Sequence, residues 1–565
     1  MTLGAQTASV RMEGITWNPS GDPLSGVILT AVEESTGHKY ESLSDSEGYY
    51  RFLSLSPGTY TVTAKAKDFK DVILRGIALF SPDSITENFS FEVSAIDKEV
   101  PLSDSPRFND SANSGSFPRR ETEALPLLDR NPLSLVIYQP GVQISGGKES
   151  ESTVNGTRKG MNRTLMDGIS IADPITMGIG STLLSMNTDS VADVQIVTSG
   201  AKAEYGGSGG GYFVMASRPG AKSWSGNIYD YFGNKNLNAN DFFLNTSSLP
   251  REGYTRNIFG ATASGPLGDK TLLFANFEGN RTNQTKHVNS MILGEDARAG
   301  VFRWYEPDDV TRDETTLRTF DIVANDPRGL GIDPTMAAKL AKFPNEPNNS
   351  NIGDRFNTGG YLFENPLRTR QERLAVRVDR DLNRNHKLFF RFNWQHTDAT
   401  DTQNSTFAAY TGEPSANYKD NSWAIMGGSD WTINSHMINE LRIGYIRPDI
   451  KLERPARSTD AMVIPNSWSN QLDPSFPRSY KSPGFDIADN FSHSMNVHAL
   501  KYGGAFRRTL QKSVNYSGVY PNVTLGQKDG NGPASSIGPS EQSEISTQGR
   551  ELFEDLYNDL LGRIE

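Results

Sequence analysis

The run Gly206-Gly207-Ser208-Gly209-Gly210 has the G-x-S-x-G spacing that holds a serine nucleophile on a tight turn. Such an elbow needs a strand before it, a helix after it and a histidine base. Here the run joins two strand-like segments, one with Val194, Ile196 and Val197 and the other from Tyr212 to Ala216. The histidines (His38, His287, His386, His396, His436, His493 and His498) are scattered, and only the last two lie near each other. A phosphate-binding loop would require Gly-Lys-Ser/Thr after the glycines, and none follows. Asp167 is a possible ligand, but in Asp167-Gly168 it reads better as a turn carboxylate. The chain has no cysteine, which removes thiolate metal sites, cysteine nucleophiles and disulfides. No enzyme is expected, no cofactor motif is read, and the glycines are assigned to backbone geometry.

Composition narrows the partners. The 565 residues are enough for three or four domains, and a net charge of −11 provides no basic stripe for nucleic acid. No apolar run reaches the length of a membrane-spanning helix. A mean hydropathy of −0.52 is still compatible with a membrane barrel, because only alternate strand residues would face lipid. The start, MTLGAQTASV, has neither a charged nor an apolar signal region. It reads either as the tail of a signal whose front is missing or as an ordinary flexible start.

Residues 1–97 carry a succession of short alternating runs separated by turn residues, such as Asp45 to Gly48 and Pro57-Gly58. The Pro57-Gly58 pair is expected to close a hairpin, with Gly58 at positive φ, between a Tyr50–Leu53 strand and the Tyr60, Val62, Ala64 strand. About seven strands in roughly 90 residues read as an antiparallel β-sandwich. The pattern Gly26, Gly37, Asp45, Gly48-Tyr49, Phe52, Leu55, Pro57-Gly58-Thr59-Tyr60 and Phe69 resembles the carboxypeptidase regulatory-like domain. That resemblance implies an immunoglobulin/prealbumin-like sandwich of the carbohydrate-binding-like group.

Residues 98–121 are polar and read as a linker. Residues 122–219 are expected to be an α+β domain: a short helix near Asn131–Tyr138, tight turns at Asn155-Gly156 and Asp167-Gly168, and two strands around the glycine run. Asn155, Gly156, Arg158, Asn162, Met166-Asp167-Gly168, Val191–Val194, Glu204-Tyr205-Gly206 and Gly209-Gly210 resemble the plug of TonB-dependent outer-membrane transporters of the Oar-like type.

Residues 220–565 alternate apolar and polar side chains. Leu388, Phe390, Phe392 and Trp394 oppose Arg391, Asn393 and Gln395. Leu441, Ile443 and Tyr445 oppose Glu440, Arg442 and Gly444. Strands of about ten residues, short turns and long polar connections such as Thr282 to Arg370 mark a transmembrane barrel. About ten strands are recognisable, against about 22 in plugged transporters, and the charged, helix-like ending suggests a partial chain. The expected fold is thus mainly β: a sandwich, a plug and an incomplete antiparallel transmembrane β-barrel.

The resemblance implies a bacterial outer-membrane receptor with a periplasmic N-terminal domain and energised uptake. Its partners would be outer-membrane lipid, TonB with its inner-membrane motor, and a small-molecule, oligosaccharide or peptide substrate. A TonB-pairing segment is expected at Lys98, Glu99, Val100, Pro101 and Leu102, although Pro101 lacks a backbone donor; plain linker is the equal alternative. The competing expectation is a cell-surface carbohydrate-binding or adhesion protein, with Tyr49, Tyr50 and Phe52 as an aromatic platform.

Overall fold

The computed structural model describes residues 10–34, 36–79, 84–91, 97–99, 113–125, 127, 129–145, 148–158, 160–173, 182–201, 206–309, 314–400, 416–434, 436–453, 462–469, 477–495, 498–516, 522–526 and 545–564. The N-terminal part is a sandwich of two sheets. Val10–Trp17 pairs with Tyr49–Leu55, Ser84–Thr86 and Phe89–Ser90 in one. Lys39–Leu43, Ile28–Glu33, Gly58–Lys65, Val72–Leu79 and Asp97–Glu99 form the other. Val10, Met12, Leu29, Ala31, Tyr60 and Val62 share one core between them.

Two local expectations change. Tyr49–Leu55 and Gly58–Lys65 lie in different sheets, so Ser56-Pro57 is a corner of the sandwich and not a hairpin turn. Gly58 opens its strand and is absent from the positive-φ glycines; a Cβ there would stand 2.8 Å from Glu33 Oε1, which is why glycine fits. The aromatic platform also fails for two of its three members. Period-two alternation turns Tyr50 and Phe52 into the core together, while Tyr49 lies on the opposite face beneath the Arg51 guanidinium.

The second domain has a five-stranded sheet ordered Asn113–Pro118, Val191–Ser199, Tyr212–Ser217, Arg163–Met166, Ile169–Ser170. Its first strand lies inside the stretch read as linker: Gly115 and Phe117 pair with Ile196 and Val194, so packing overrides a polar composition. The expected helix is a 3₁₀ turn, Pro132–Tyr138, whose N-cap Asn131 accepts from Leu133 N–H.

The third part is an antiparallel meander of nine strands: Ser225–Asn234, Tyr254–Gly268, Thr271–Leu293, Thr358–Asn383, His386–Thr400, Asn417–Asn434, Met437–Arg447, Gly484–Met495 and His498–Thr509. Among the described residues its first and last strands are not paired with each other. Short turns at Gly268–Thr271, Asn383–His386 and Asn434–Met437 gather at one end and long connections at the other.

Strand length departs most from expectation. Thr271–Leu293 and Thr358–Asn383 have 23 and 26 residues and stay in register up to Leu293 opposite Thr358. Both ends of the supposed connection Thr282 to Arg370, up to Leu293 and from Thr358, are therefore paired hairpin. At ~3.3 Å per residue it rises far beyond a hydrocarbon core of ~30 Å. The raised end carries its own apolar cluster. Ile292, Leu293, Phe302, Trp304 and Met336 pack there with Phe553, Leu556, Tyr557 and Leu560 of the terminal helix Thr547–Leu560.

Candidate functional site

Along the wall, polar and apolar residues are arranged opposite to a soluble protein. Arg391 is 1% exposed and Arg442 7%, whereas their neighbours Phe390 and Ile443 are 50% and 41% exposed. Asn276, Glu278, Asp379, Asn393, Gln395, Asp420, Ser422 and Glu440 are buried on the same concave face as the arginines. They are buried because the second domain sits against that face. Its core of Met166, Ile169, Leu184, Ile196 and Phe213 continues into Ala424, Met426 and Ile446 of the wall.

Two ion networks fix the contact. Asp167 and Gly168 have φ of 47° and 85°, the left-handed pair of a tight hairpin turn joining Met166 to Ile169. This turn projects the carboxylate to the wall. Asp167 Oδ2 accepts from Arg391 Nη1 at 2.8 Å, and Arg377 Nη1 lies 3.8 Å from Oδ1. Both oxygens also accept from Ser217, at 2.8 Å from its N–H and 2.7 Å from its hydroxyl. Arg377 in turn is held by Asp379 at 2.9 and 2.8 Å and stacks on Phe389 at 4.4 Å.

In the second network Arg130, itself at φ 53°, is bonded to Asp189 and to Glu278 at 3.1 Å, and Glu278 also holds Arg373 at 3.1 Å. The Arg130 guanidinium lies over Tyr229 and Tyr231 at 4.6 and 4.4 Å. Further hydrogen bonds complete the seam: Asn187 to Asn276 at 2.8 Å, Ser185 N–H to Gln395 at 2.8 Å and Ser170 N–H to the Asp486 carboxylate at 3.1 Å.

The other sequence-selected residues are spread over this domain. Asn155-Gly156 is a second left-handed turn, and Asn155 Nδ2 donates to Thr198 O at 2.8 Å. Arg158 is exposed. Asn162 Oδ1 accepts from Gly211 N–H at 2.9 Å, and Gly206 O accepts from Arg163 at 2.6 Å. Glu204 and Tyr205 lie outside the described residues, as do Val100, Pro101 and Leu102. The backbone of Lys98 and Glu99 pairs with Leu74 and Arg75 of the sandwich. Arg391, Arg377, Arg130 and Glu278 were not singled out from sequence as plug anchors. The available signal was charged residues recurring on the face opposite the aromatics.

The glycine run has a packing reason. A Cβ on Gly207, Gly209 or Gly210 would stand 2.5, 2.4 or 2.3 Å from Arg163, Met161 or Asn162, and Gly207 also has φ +78°. Gly207→Ala is therefore expected to destabilise the second domain by about 1–3 kcal/mol, read from urea unfolding of the whole chain.

The sandwich docks at the short-turn end. Lys222 N–H donates to Thr36 O at 3.0 Å, and Lys387 Nζ lies 3.8 Å from the Tyr40 ring centre. Beside them burial lowers the His38 pKa to about 4, with Lys387 and Lys222 adding to the effect and Asp379 and Asp381 opposing it. A group so lowered binds its proton more readily when released. Docking is therefore complete above the ordinary pKa near 6.5 and weakens as pH falls from there toward 4. Limited proteolysis between sandwich and wall should show this loss, and His38→Gln should remove it.

A concave polar face around a docked domain, an outward apolar face, and short turns opposite long loops define a plugged membrane-barrel wall. The chain belongs to the outer membrane beta barrel domain family, whose model matches residues 216–548. Residues 11–92 match the carboxypeptidase regulatory-like domain. The chain is 27% identical over 295 residues to the TonB-dependent transporter Oar of Myxococcus xanthus, covering 49% of this chain and 27% of that protein. It is similar in structure to the outer membrane transporter YddB of Escherichia coli, with a TM-score of 0.44 and 11% identity over 71% of this chain and 48% of that one. It is also similar to a ferric enterobactin receptor (PfeA) mutant of Pseudomonas aeruginosa, with a TM-score of 0.43 and 13% identity over 74% and 52%. The chain thus spans about a quarter of the curated relative's length and about half of each solved structure.

Proposed function

We propose that this chain is the sandwich, plug and leading wall of a TonB-dependent outer-membrane receptor. Its short-turn end would be periplasmic, its long-loop end external, and its substrate taken up at the cell surface. The observation that carries this reading is the inverted wall, with buried arginines and carboxylates bonded to a separate domain and apolar side chains turned outward. TonB would pair by strand addition with Lys98–Leu102, whose first two residues belong to the last sandwich strand, Asp97–Glu99. Energised pulling on that segment would then act on a plug held by two ion networks. The carbohydrate-binding alternative is not favoured, because Tyr50 and Phe52 lie in the core.

The absence of native cysteine makes the test direct. The full chain, expressed in a Gram-negative host, is expected in the outer-membrane fraction. A photo-crosslinker at Val100 should capture the periplasmic domain of TonB, and one at exposed Leu330 should not. Recovery in the soluble fraction, or equal capture from both positions, would count against the reading.

A further inference from the structure

At the long-loop end a cavity of about 410 Å³ lies between plug and wall, lined by Asn162, Arg163, Ser170, Ser482, Asp486 and Arg507 among others. It sits where the wall strands meet at Ile446, Gly484 and Thr509, at the opposite end of the last hairpin from its Met495–His498 turn. Its size falls within the range of small-ligand sites.

The charges lining it are unevenly matched. Arg507 is committed, donating to both oxygens of Asp486 at 2.5 and 2.8 Å, and Asp486 also takes the Ser170 N–H. Asp173, the other carboxylate on the lining, receives the Tyr480 hydroxyl at 3.4 Å and has further contacts of its own. Arg163 is different. Among the described residues its side chain makes one hydrogen bond, to Gly206 O, no carboxylate lies within ion-pair distance, and its buried Nε has no acceptor. Asn162 Nδ2 and the hydroxyl of fully buried Ser482 are buried without partners as well. The glycine at 207 makes room for this guanidinium, since a Cβ there would stand 2.5 Å from Arg163 Nη1.

Buried donors are ordinarily satisfied, and a partly buried guanidinium with no ion-pair partner among the described residues carries an unmet charge. Three unmet donors, one of them charged, converge on one cavity. We propose that this cavity binds an oxyanion group, a carboxylate or phosphate on a small ligand, with Arg163 as its counter-ion and Asn162 and Ser482 as neutral donors. Arginine suits the role because its planar fork meets a two-oxygen acceptor. The proposal rests on the plug-and-wall reading and names the ligand chemistry at the plug's long-loop end.

The test uses the full chain in detergent at fixed ionic strength, with chloride replaced by inorganic phosphate or by citrate. Each is read by thermal melting and by isothermal titration. At least one of the two should raise the melting temperature and bind saturably, phosphate alone or citrate alone telling which oxyanion the cavity prefers. Arg163→Gln and Arg163→Lys should each weaken that binding roughly tenfold or more, and Ser482→Ala less. Lys342→Gln, at an exposed position between Leu340 and Phe343 of the raised cluster, should leave it unchanged. Saturable binding that survives in Arg163→Gln, or no binding of either anion to the unaltered chain, would overturn the proposal. If Arg163→Gln fails to fold, Arg163→Lys keeps the charge but loses the fork and decides the matter. Outer-membrane fractionation and TonB crosslinking are independent of these titrations, so the two readings can fail separately.

Discussion

Asp167→Ala is expected to destabilise the plugged assembly by about 3–5 kcal/mol, the range for removing one partner of a buried ion pair. The loss follows from what remains. Arg391 is 1% exposed and its guanidinium meets Asp167 at 2.8 Å; without the carboxylate, a sulfur contact to Met426 is the hydrogen bond it keeps among the described residues. Ser217 loses the acceptor for both its N–H and its hydroxyl. Urea unfolding in lipid vesicles, followed by tryptophan fluorescence, measures the effect. The double variant Asp167→Ala/Arg391→Met should recover part of the loss, because the orphaned charge is gone. The exposed pair Lys419–Glu453 is the contrast: breaking it should change stability by about 0–1 kcal/mol.

The second large effect is on the opposite face. Ile443→Arg is expected to disfavour the membrane-inserted state by about 2–4 kcal/mol, the cost of a cation on the lipid face near mid-membrane. Ile443 lies mid-strand in Met437–Arg447 and is 41% exposed. On a water-facing sheet the same change would fall within about ±0.5 kcal/mol. Refolding yield into vesicles over a urea series separates the two outcomes. An unchanged yield would mean that this face is not in lipid.

The sequence revealed much of the wall, because period-two alternation shows faces whatever the partner. The residues opposite Phe390 and Ile443 were already grouped as polar, and the structure turns them toward the plug. Strand length was less legible. A lumen-facing or solvent-facing strand end is as polar as a loop, so Thr282 to Leu293 and Thr358 to Arg370 read as connection although they are paired with each other. Long-range partners were least legible. Asp167 looked like a turn carboxylate, which it is, but nothing local pairs it with Arg391, 224 residues away. The Ser56-Pro57 corner misled for a related reason, since a proline turn between two strands does not say whether they share a sheet. The glycine run was read as backbone geometry, and its specific packing against Met161, Asn162 and Arg163 emerged only from the fold.

What decides between a lipid-embedded wall and a water-soluble sheet is what touches Phe390, Ile443 and Phe506. Single cysteines carrying a nitroxide at these positions, and in parallel at Asn393 and Glu440, should be reconstituted in vesicles and relaxed with molecular oxygen and with a water-soluble nickel chelate. Faster relaxation by oxygen at the first three and protection from both agents at the last two is the predicted pattern. Nickel relaxing Phe390 and Ile443 more strongly than oxygen does would contradict it.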